Sequence, residues 1–347
     1  MRQGGAPLCA PPARFTVMEA EVTLLNSILT GPRVAIRSRL VHQAGRLIPG
    51  DQATIPVGGP VTHCAISAFE GVRLYRQEGL PGAVRPWLLA QHLDRLRHSC
   101  RIMGLDAGCV DGVPEVIEEL VSANSITEDS YVRIAAGAGN PGGTGEPAET
   151  ALTISAAPSG REWWLATGAG MRLLISDWRR PPERAFPSAA KNISAYAGPR
   201  LAQDAASAAG YDGCVLLTCD GLISEATTAS VFLVEGDRLV TPRLSDVVVP
   251  GVTRAWVLAT ARNVLGLDVR AEAVTPERLR HADEVFLCGT GTEFAPVCEI
   301  DDIELRGWPY CAVTTDLVDT YFRQVRGESA PTAVRWNASA DSILAPG

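Results

Sequence analysis

Two hydrophobic rhythms interleave along this chain of 347 residues, and their mixing restricts the fold more than any single motif does. Residues 87–103 carry Leu89, Leu93, Leu96, Cys100 and Met103 at 4, 3, 4, 3 spacing, the single apolar stripe of a helix. A second helix is expected over Val113–Ala123. Short strands and turns are expected at residues 41–46 and 53–57, and strands at 131–135 and 151–155 flank a glycine-rich turn. Further on, residues 200–209 read as a helix stopped by Gly210. Residues 214–219 and 230–234 read as strands, with Asp220-Gly221 a tight hairpin turn between them. A helix over 253–265 closes at Gly266, Thr275-Pro276 starts a short helix, and 284–287 is a buried strand. Helices and strands mix within each half and no regular strand–helix–strand period appears. The fold class that follows is α+β (mixed α/β).

The expected organisation is an N-terminal extension (1–33) with a short amphipathic helix around 18–29, a small α/β domain (34–155) and a linker (156–170). A large domain (171–330) and a C-terminal tail (331–347) complete it. The chain is 46% apolar, enough for substantial cores, and its net charge of −8 argues against a nucleic-acid partner. Two short arginine clusters, Arg95/Arg97/Arg101 and Arg179/Arg180/Arg184, are interrupted by Leu, Pro or acidic residues. They suit a solvated face or one anion site rather than a polyanion track. Nine cysteines, odd in number and without a CxxC pair, point to free thiols and to no metal site. With neither a leader pattern nor an 18-residue apolar run, a soluble cytoplasmic protein without a membrane partner is expected.

Of the 31 basic side chains, one is a lysine, Lys191, in Ser188-Ala-Ala-Lys-Asn-Ile-Ser-Ala-Tyr196. Arginine can stand wherever positive charge alone is wanted. It cannot replace a primary amine that loses its proton and attacks a carbonyl. The bland alternative is one lysine left on a solvated surface.

Other segments carry candidate chemistry. Gly137-Ala-Gly-Asn-Pro-Gly142 matches G-x-G-x-x-G formally, but it leads into a strand rather than a helix and reads as a hairpin loop, not a nucleotide site. Pro250-Gly-Val-Thr-Arg254 runs into a helix and leaves the amides of Val252 and Thr253 for an anion. Gly289-Thr-Gly-Thr-Glu293 is a tight turn able to offer amides and hydroxyls. Glu225 lies among apolar and small residues just after a hairpin, where a carboxylate needs a partner. Arg95 sits inside a regular helix.

The order of these segments is specific. Glu225 is followed by Val231-Phe232, Leu239-Val-Thr241 and Pro250-Gly-Val-Thr-Arg254. Before it come Phe69-Glu-Gly-Val-Arg73, His92-Leu-Asp-Arg-Leu96, Tyr131-Val-Arg133 and Lys191 with Tyr196; after it come Ala282-Asp-Glu-Val-Phe286 and Gly289-Thr290. Over roughly residues 34–325 the chain resembles the class IV, fold-type IV pyridoxal-phosphate-dependent aminotransferases, most of all the branched-chain amino-acid aminotransferases. The resemblance implies a two-domain enzyme with pyridoxal 5′-phosphate at the domain interface and at least a homodimer. It implies a Schiff-base role for Lys191, with Glu225 on the pyridine nitrogen and Tyr196 on the phenolic oxygen. Arg95, Thr290 and the amides of Val252 and Thr253 would hold the phosphate. Cys64, Phe69, Tyr131, Arg133, Thr290 and Gly291 would meet the substrate.

Departures fall on the substrate side. His63-Cys64-Ala65 stands where the branched-chain enzymes have His-Tyr-Gly, so a phenol is replaced by a small thiol. Ala195 and Ser230 replace asparagines, and Ile134 replaces a proline. The expected activity is amino transfer between an α-amino acid and an α-keto acid, with altered side-chain specificity and glutamate/2-oxoglutarate as co-substrate. The alternative is a non-transaminating relative such as an aminodeoxychorismate-lyase-like enzyme.

Overall fold

The computed structural model describes residues 38–139 and 149–338. The expected extension with its helix at 18–29, Cys9, the tip of the glycine-rich loop and the end of the C-terminal tail lie outside the described residues. Strands β1 (Leu40–Gln43), β2 (Arg46–Pro49), β3 (Ser67–Arg76), β4 (Val84–Pro86), β5 (Ser130–Ala138) and β6 (Thr150–Pro158) form one sheet, in the order β2-β1-β6-β5-β3-β4. Every neighbouring pair in it is antiparallel. The strand expected at 53–57 does not form. Pro56 interrupts it, and Ile55 and Val57 are exposed, with no core to cover.

Strand side chains alternate, and this gives the sheet two unlike faces. Ala68, Val72 and Leu74 of β3 and Val132, Ile134 and Ala136 of β5 pack with Leu93, Leu96 and Cys100 of the helix Leu89–Ile102. Each such leucine contributes about 2 kcal/mol when buried. The intervening residues, Phe69, Gly71 and Arg73 of β3 with Tyr131 and Arg133 of β5, take the opposite face. The register puts Gly71 opposite Arg133 and Arg73 opposite Tyr131. A Cβ on Gly71 would lie 1.7 Å from the Tyr131 hydroxyl, so only glycine lets that ring cross the strand.

The second sheet contains β7 (Met171–Arg179), β8 (Gly213–Leu217), β9 (Ile223–Ala226), β10 (Ser230–Glu235), β11 (Arg238–Thr241), β12 (Asp268–Ala271), β13 (Glu284–Gly289), β14 (Glu293–Ile300) and β15 (Ile303–Glu304). Their order is β12-β11-β10-β13-β14-β7-β8-β9, with β15 beside β14. Pairs β7–β8, β7–β14 and β11–β12 are parallel, which makes the sheet mixed. Its central strands are apolar on both faces. Phe232, Val234, Phe286 and Cys288 pack with Trp256 of the helix Val252–Asn263 and Tyr321 of the helix Ala312–Val325. Val231, Leu233, Val285 and Leu287 face Ile223, Val274 and Leu279 on the other side.

Three boundaries differ from expectation. Strand β6 runs on to Pro158, and a short helix, Trp163–Thr167, lies within the expected linker. The sequence reading has no strand at β9, although this strand carries Glu225. The first half of the expected tail is docked. Val334 is buried in the core, Thr332 is bonded to Gln324, and the Trp336 indole donates to the Pro250 carbonyl at 2.8 Å. Among the described residues no helix is long and apolar enough to cross a membrane, and the eight described cysteines are free.

Candidate active site

Lys191 is fixed through its backbone to the first sheet and to the helix Leu89–Ile102. Phe69 N donates to the Lys191 carbonyl at 3.0 Å, and Lys191 N donates to Ser99 Oγ at 3.0 Å. Ser99 Oγ in turn donates to the Arg95 carbonyl at 2.9 Å. The next residue, Asn192, is fully buried and caps the turn Ile193–Tyr196 by accepting from Ala195 N. That turn brings the Tyr196 hydroxyl to 2.6 Å from Lys191 Nζ. The Phe69 ring lies 4.7 Å from Nζ and packs edge-on against Tyr196, and Arg133 stacks on Phe69 at 3.5 Å. The lone lysine is therefore half-buried in an aromatic setting, not on a solvated face.

Arg95 is buried too. His92, Arg95 and Ser99 form a second stripe, and a polar one, on the same helix as the leucines. Both stripes are covered, so the helix has little free face. Arg95 grips Glu70 of β3 with two nitrogens, at 2.6 and 2.9 Å, and reaches the Pro250 carbonyl at 3.2 Å with the third. His92 Nδ1 adds a contact to Glu70 at 2.9 Å. Burial alone would push the Glu70 carboxyl up. The charge and hydrogen bonds of Arg95, with His92, override this and hold it far below the usual carboxylate range. The third arm places the guanidinium beside the start of the helix Val252–Asn263. That start has no side-chain cap, and its first-turn amides, Val252 and Thr253 among them, have no carbonyl a turn behind to bond. A cation beside open helix amides is a cradle for a dianion.

Glu225 has an ion pair with Arg180 Nη2 at 3.1 Å and accepts from Val249 N at 3.2 Å. Burial pushes its carboxyl above the ordinary range, against the pull of Arg180 and the Val249 amide. The Thr290–Gly291 turn joins β13 to β14. Its two carbonyls accept from Arg73, at 3.1 and 3.2 Å. Cys64 ends the helix Pro60–Cys64 and is exposed. The next residue, Ala65, is left-handed (φ 53°), and its carbonyl accepts from Ser194 Oγ at 2.9 Å, which ties this helix end to the segment after Lys191.

The structure thus joins Lys191, Tyr196, Phe69 and Arg133 directly, and links Arg95 to the helix start at Val252. Glu70, Arg73, Ser99 and Arg180 were not among the expected site residues. A carboxylate inside the apolar run of β3 was the available signal for Glu70, since it demands a cation. Arg180 was hidden in the cluster Arg179/Arg180/Arg184, which read as a solvated face or one anion site.

The class IV amino-transferase family model matches residues 67–300. This chain belongs to the class IV aminotransferases. It is 28% identical to a probable branched-chain-amino-acid aminotransferase of Aquifex aeolicus, over 82% of this chain and 91% of that one. The branched-chain aminotransferase of Thermoproteus uzoniensis, solved with norvaline, superposes with a TM-score of 0.77 at 30% identity, over 84% of this chain and 96% of that one. The branched-chain enzyme of Thermobaculum terrenum, solved in its PLP-bound holo form, superposes with a TM-score of 0.78 at 29% identity, over 84% and 95%. The mixed fold is that of the fold-type IV enzymes, and as a member of the class the chain is a pyridoxal-phosphate-dependent aminotransferase.

Proposed function

We propose that this enzyme exchanges an amino group between an L-α-amino acid and an α-keto acid, with glutamate/2-oxoglutarate as one pair. Its preferred side chains are larger or more polar than those of valine, isoleucine and leucine. The observation that carries the transaminase reading is the 2.6 Å contact of Lys191 Nζ with Tyr196, in a site that also holds a buried acid and a basic helix start.

The donor set fits pyridoxal phosphate. Arg95 and the amides of Val252 and Thr253 suit its phosphate, and the resemblance adds Thr290 to that set. Glu225 suits a protonated ring nitrogen, because a buried carboxylate with a raised proton affinity is relieved by a nearby cation. Tyr196 suits the phenolic oxygen. When bound, this cofactor supplies the electron sink that makes an amino acid's Cα proton removable. The protein does the rest. Lys191 Nζ would take the proton from one carbon and return it to another, and the Tyr196 hydroxyl at 2.6 Å holds Nζ in place for this. Arg180 pulls the Glu225 carboxyl back towards its charged form, which would keep the ring nitrogen of the bound cofactor protonated. Arg133, Tyr131 and the Thr290–Gly291 turn orient carboxylates.

The specificity reading rests on Cys64, a small exposed side chain at the position where the resemblance to the branched-chain enzymes implies a phenol. A vacated ring changes pocket volume, and one methylene is worth about 1–3 kcal/mol of discrimination. The two sheets serve as the two domains, joined by residues 159–170, and a homodimer is the expected assembly. The test is a substrate screen on cofactor-loaded protein. Loss of the visible cofactor band on adding an amino acid, and its return on adding 2-oxoglutarate, is expected, with at least one bulkier or polar amino acid outrunning the branched-chain three. Bleaching that 2-oxoglutarate cannot reverse overturns amino transfer. Valine, isoleucine and leucine ranking first overturns the altered specificity.

A further inference from the structure

We infer that Arg73 is the residue that positions the Thr290–Thr292 turn for a substrate carboxylate, acting through the backbone of that turn. This rests on the proposed carboxylate role of the turn and adds the device that shapes it. Arg73 is 1% exposed on the site-facing side of β3. Its guanidinium donates to four backbone carbonyls and, among the described residues, to no side chain: Nε to Thr290 O at 3.1 Å, Nη1 to Ser159 O at 3.0 Å and Gly160 O at 2.9 Å, and Nη2 to Gly291 O at 3.2 Å. Two chain segments, the crossing between the sheets and the β13–β14 turn, are thus pinned to one side chain.

Four neutral acceptors take four of the five N–H donors of this buried cation but do not balance its charge. Glu293 Oε1 at 3.7 Å and Glu162 Oε1 at 3.9 Å do that. Glu293 is itself fully buried and left-handed (φ 53°), and Tyr75 donates to it at 2.7 Å. The charge pair therefore anchors the guanidinium from the β14 side, leaving the fork free for carbonyls.

The peptide bond is planar and trans, so each carbonyl points opposite to the N–H of the residue that follows. Drawing the Thr290 and Gly291 carbonyls onto Arg73 turns the N–H groups of Gly291 and Thr292 away from it, as a pair of pre-set donors for a carboxylate. Donors fixed before the ligand arrives need no reorganisation when it binds. A lysine could match the charge but not the fork, since its three protons radiate from one point and cannot span both segments.

The experiment compares Arg73→Lys, the charge-balanced double variant Arg73→Gln/Glu293→Gln, and Gly291→Pro, each as cofactor-loaded enzyme. The readouts are KM and kcat for the amino acid, the Kd of 4-methylvalerate as a carboxylate probe without an amine, cofactor Kd, and thermal midpoint. In the two Arg73 variants, KM and probe Kd should rise about 10- to 100-fold, the scale expected for misplaced binding groups. Cofactor Kd and kcat should stay within about threefold. Gly291→Pro, which removes one of the two N–H groups, should weaken the probe similarly. If Gly291→Pro weakens the probe but both Arg73 changes do not, the role of Arg73 is overturned while the turn's role stands. If none of the three weakens it, the turn is not the carboxylate site. Loss of folding in both Arg73 variants, or equal loss of cofactor and probe affinity, makes Arg73 a structural brace and overturns the inference.

Discussion

Glu70 and Glu225 are both buried, and each lies against an arginine, yet their proton affinities move in opposite directions. Glu70 is held by two nitrogens of Arg95 and by His92. Glu225 has one arginine contact at 3.1 Å and one amide at 3.2 Å. Desolvation acts on both, so the count and geometry of donors decide the sign. Glu70 is saturated and reads as scaffold, locking β3 to the helix that carries Arg95. Glu225 is under-compensated, and its partner Arg180 keeps a buried Nε with no acceptor among the described residues. That is the state of a carboxylate with room for a further cation.

Neutralising each acid is the strongest way to break this contrast. Glu225→Gln should lower turnover by about 100-fold or more, the scale seen when a charge serving the transition state is removed. It should cost less folding stability than Glu70→Gln, which breaks a bidentate buried pair and should lose about 3 kcal/mol. Kinetics and urea unfolding on both variants check this, and a reversed order would mean that the roles are exchanged.

The pH dependence sharpens the contrast with opposite signs. Glu70 has a folded proton affinity below its unfolded one. Its stabilisation is therefore present above the unfolded pKa of about 4.3 and is lost as pH falls through the folded value. The stability gap between wild type and Glu70→Gln should narrow on acidification. The folded affinity of Glu225 is raised, so in cofactor-free protein its contribution worsens as pH rises through that range. The gap between wild type and Glu225→Gln should then shrink, or reverse, from about pH 4 towards neutrality. Urea midpoints across that range decide, and parallel curves would refute the difference.

The smallest effect concerns a region outside both ion clusters. Cys64→Tyr should shift the preference ratio towards branched-chain substrates by about tenfold while leaving melting and cofactor affinity unchanged. An unchanged ranking would remove Cys64 from the specificity wall.

Local periodicity carried much of the fold. The helix Val113–Ala123 appears with the expected bounds, and the stripe from Leu89 gives the helix Leu89–Ile102. Strand β9 was missed because four residues between a hairpin turn and β10 are too few to show a period. The covered polar stripe His92–Arg95–Ser99 was not legible, because periodicity does not reveal that a second element lies over a polar face. Lys191 and Glu225 stood out by residue type and setting, while Tyr196 was implied only by the resemblance to the family. Arg73 did not show as a clamp, because its acceptors are backbone carbonyls as far as 218 residues away, and no sequence pattern encodes which carbonyl an arginine will find.

Lys191, half-buried against Phe69 and Tyr196, is also the only ε-amine in the chain. Apart from the chain's α-amine, acylating reagents and amine-reactive resins have one place to couple, and that place is the amine proposed to carry the catalysis. Lysine-directed crosslinking or immobilisation should inactivate this enzyme in proportion to coupling, with cofactor acting as the protecting group.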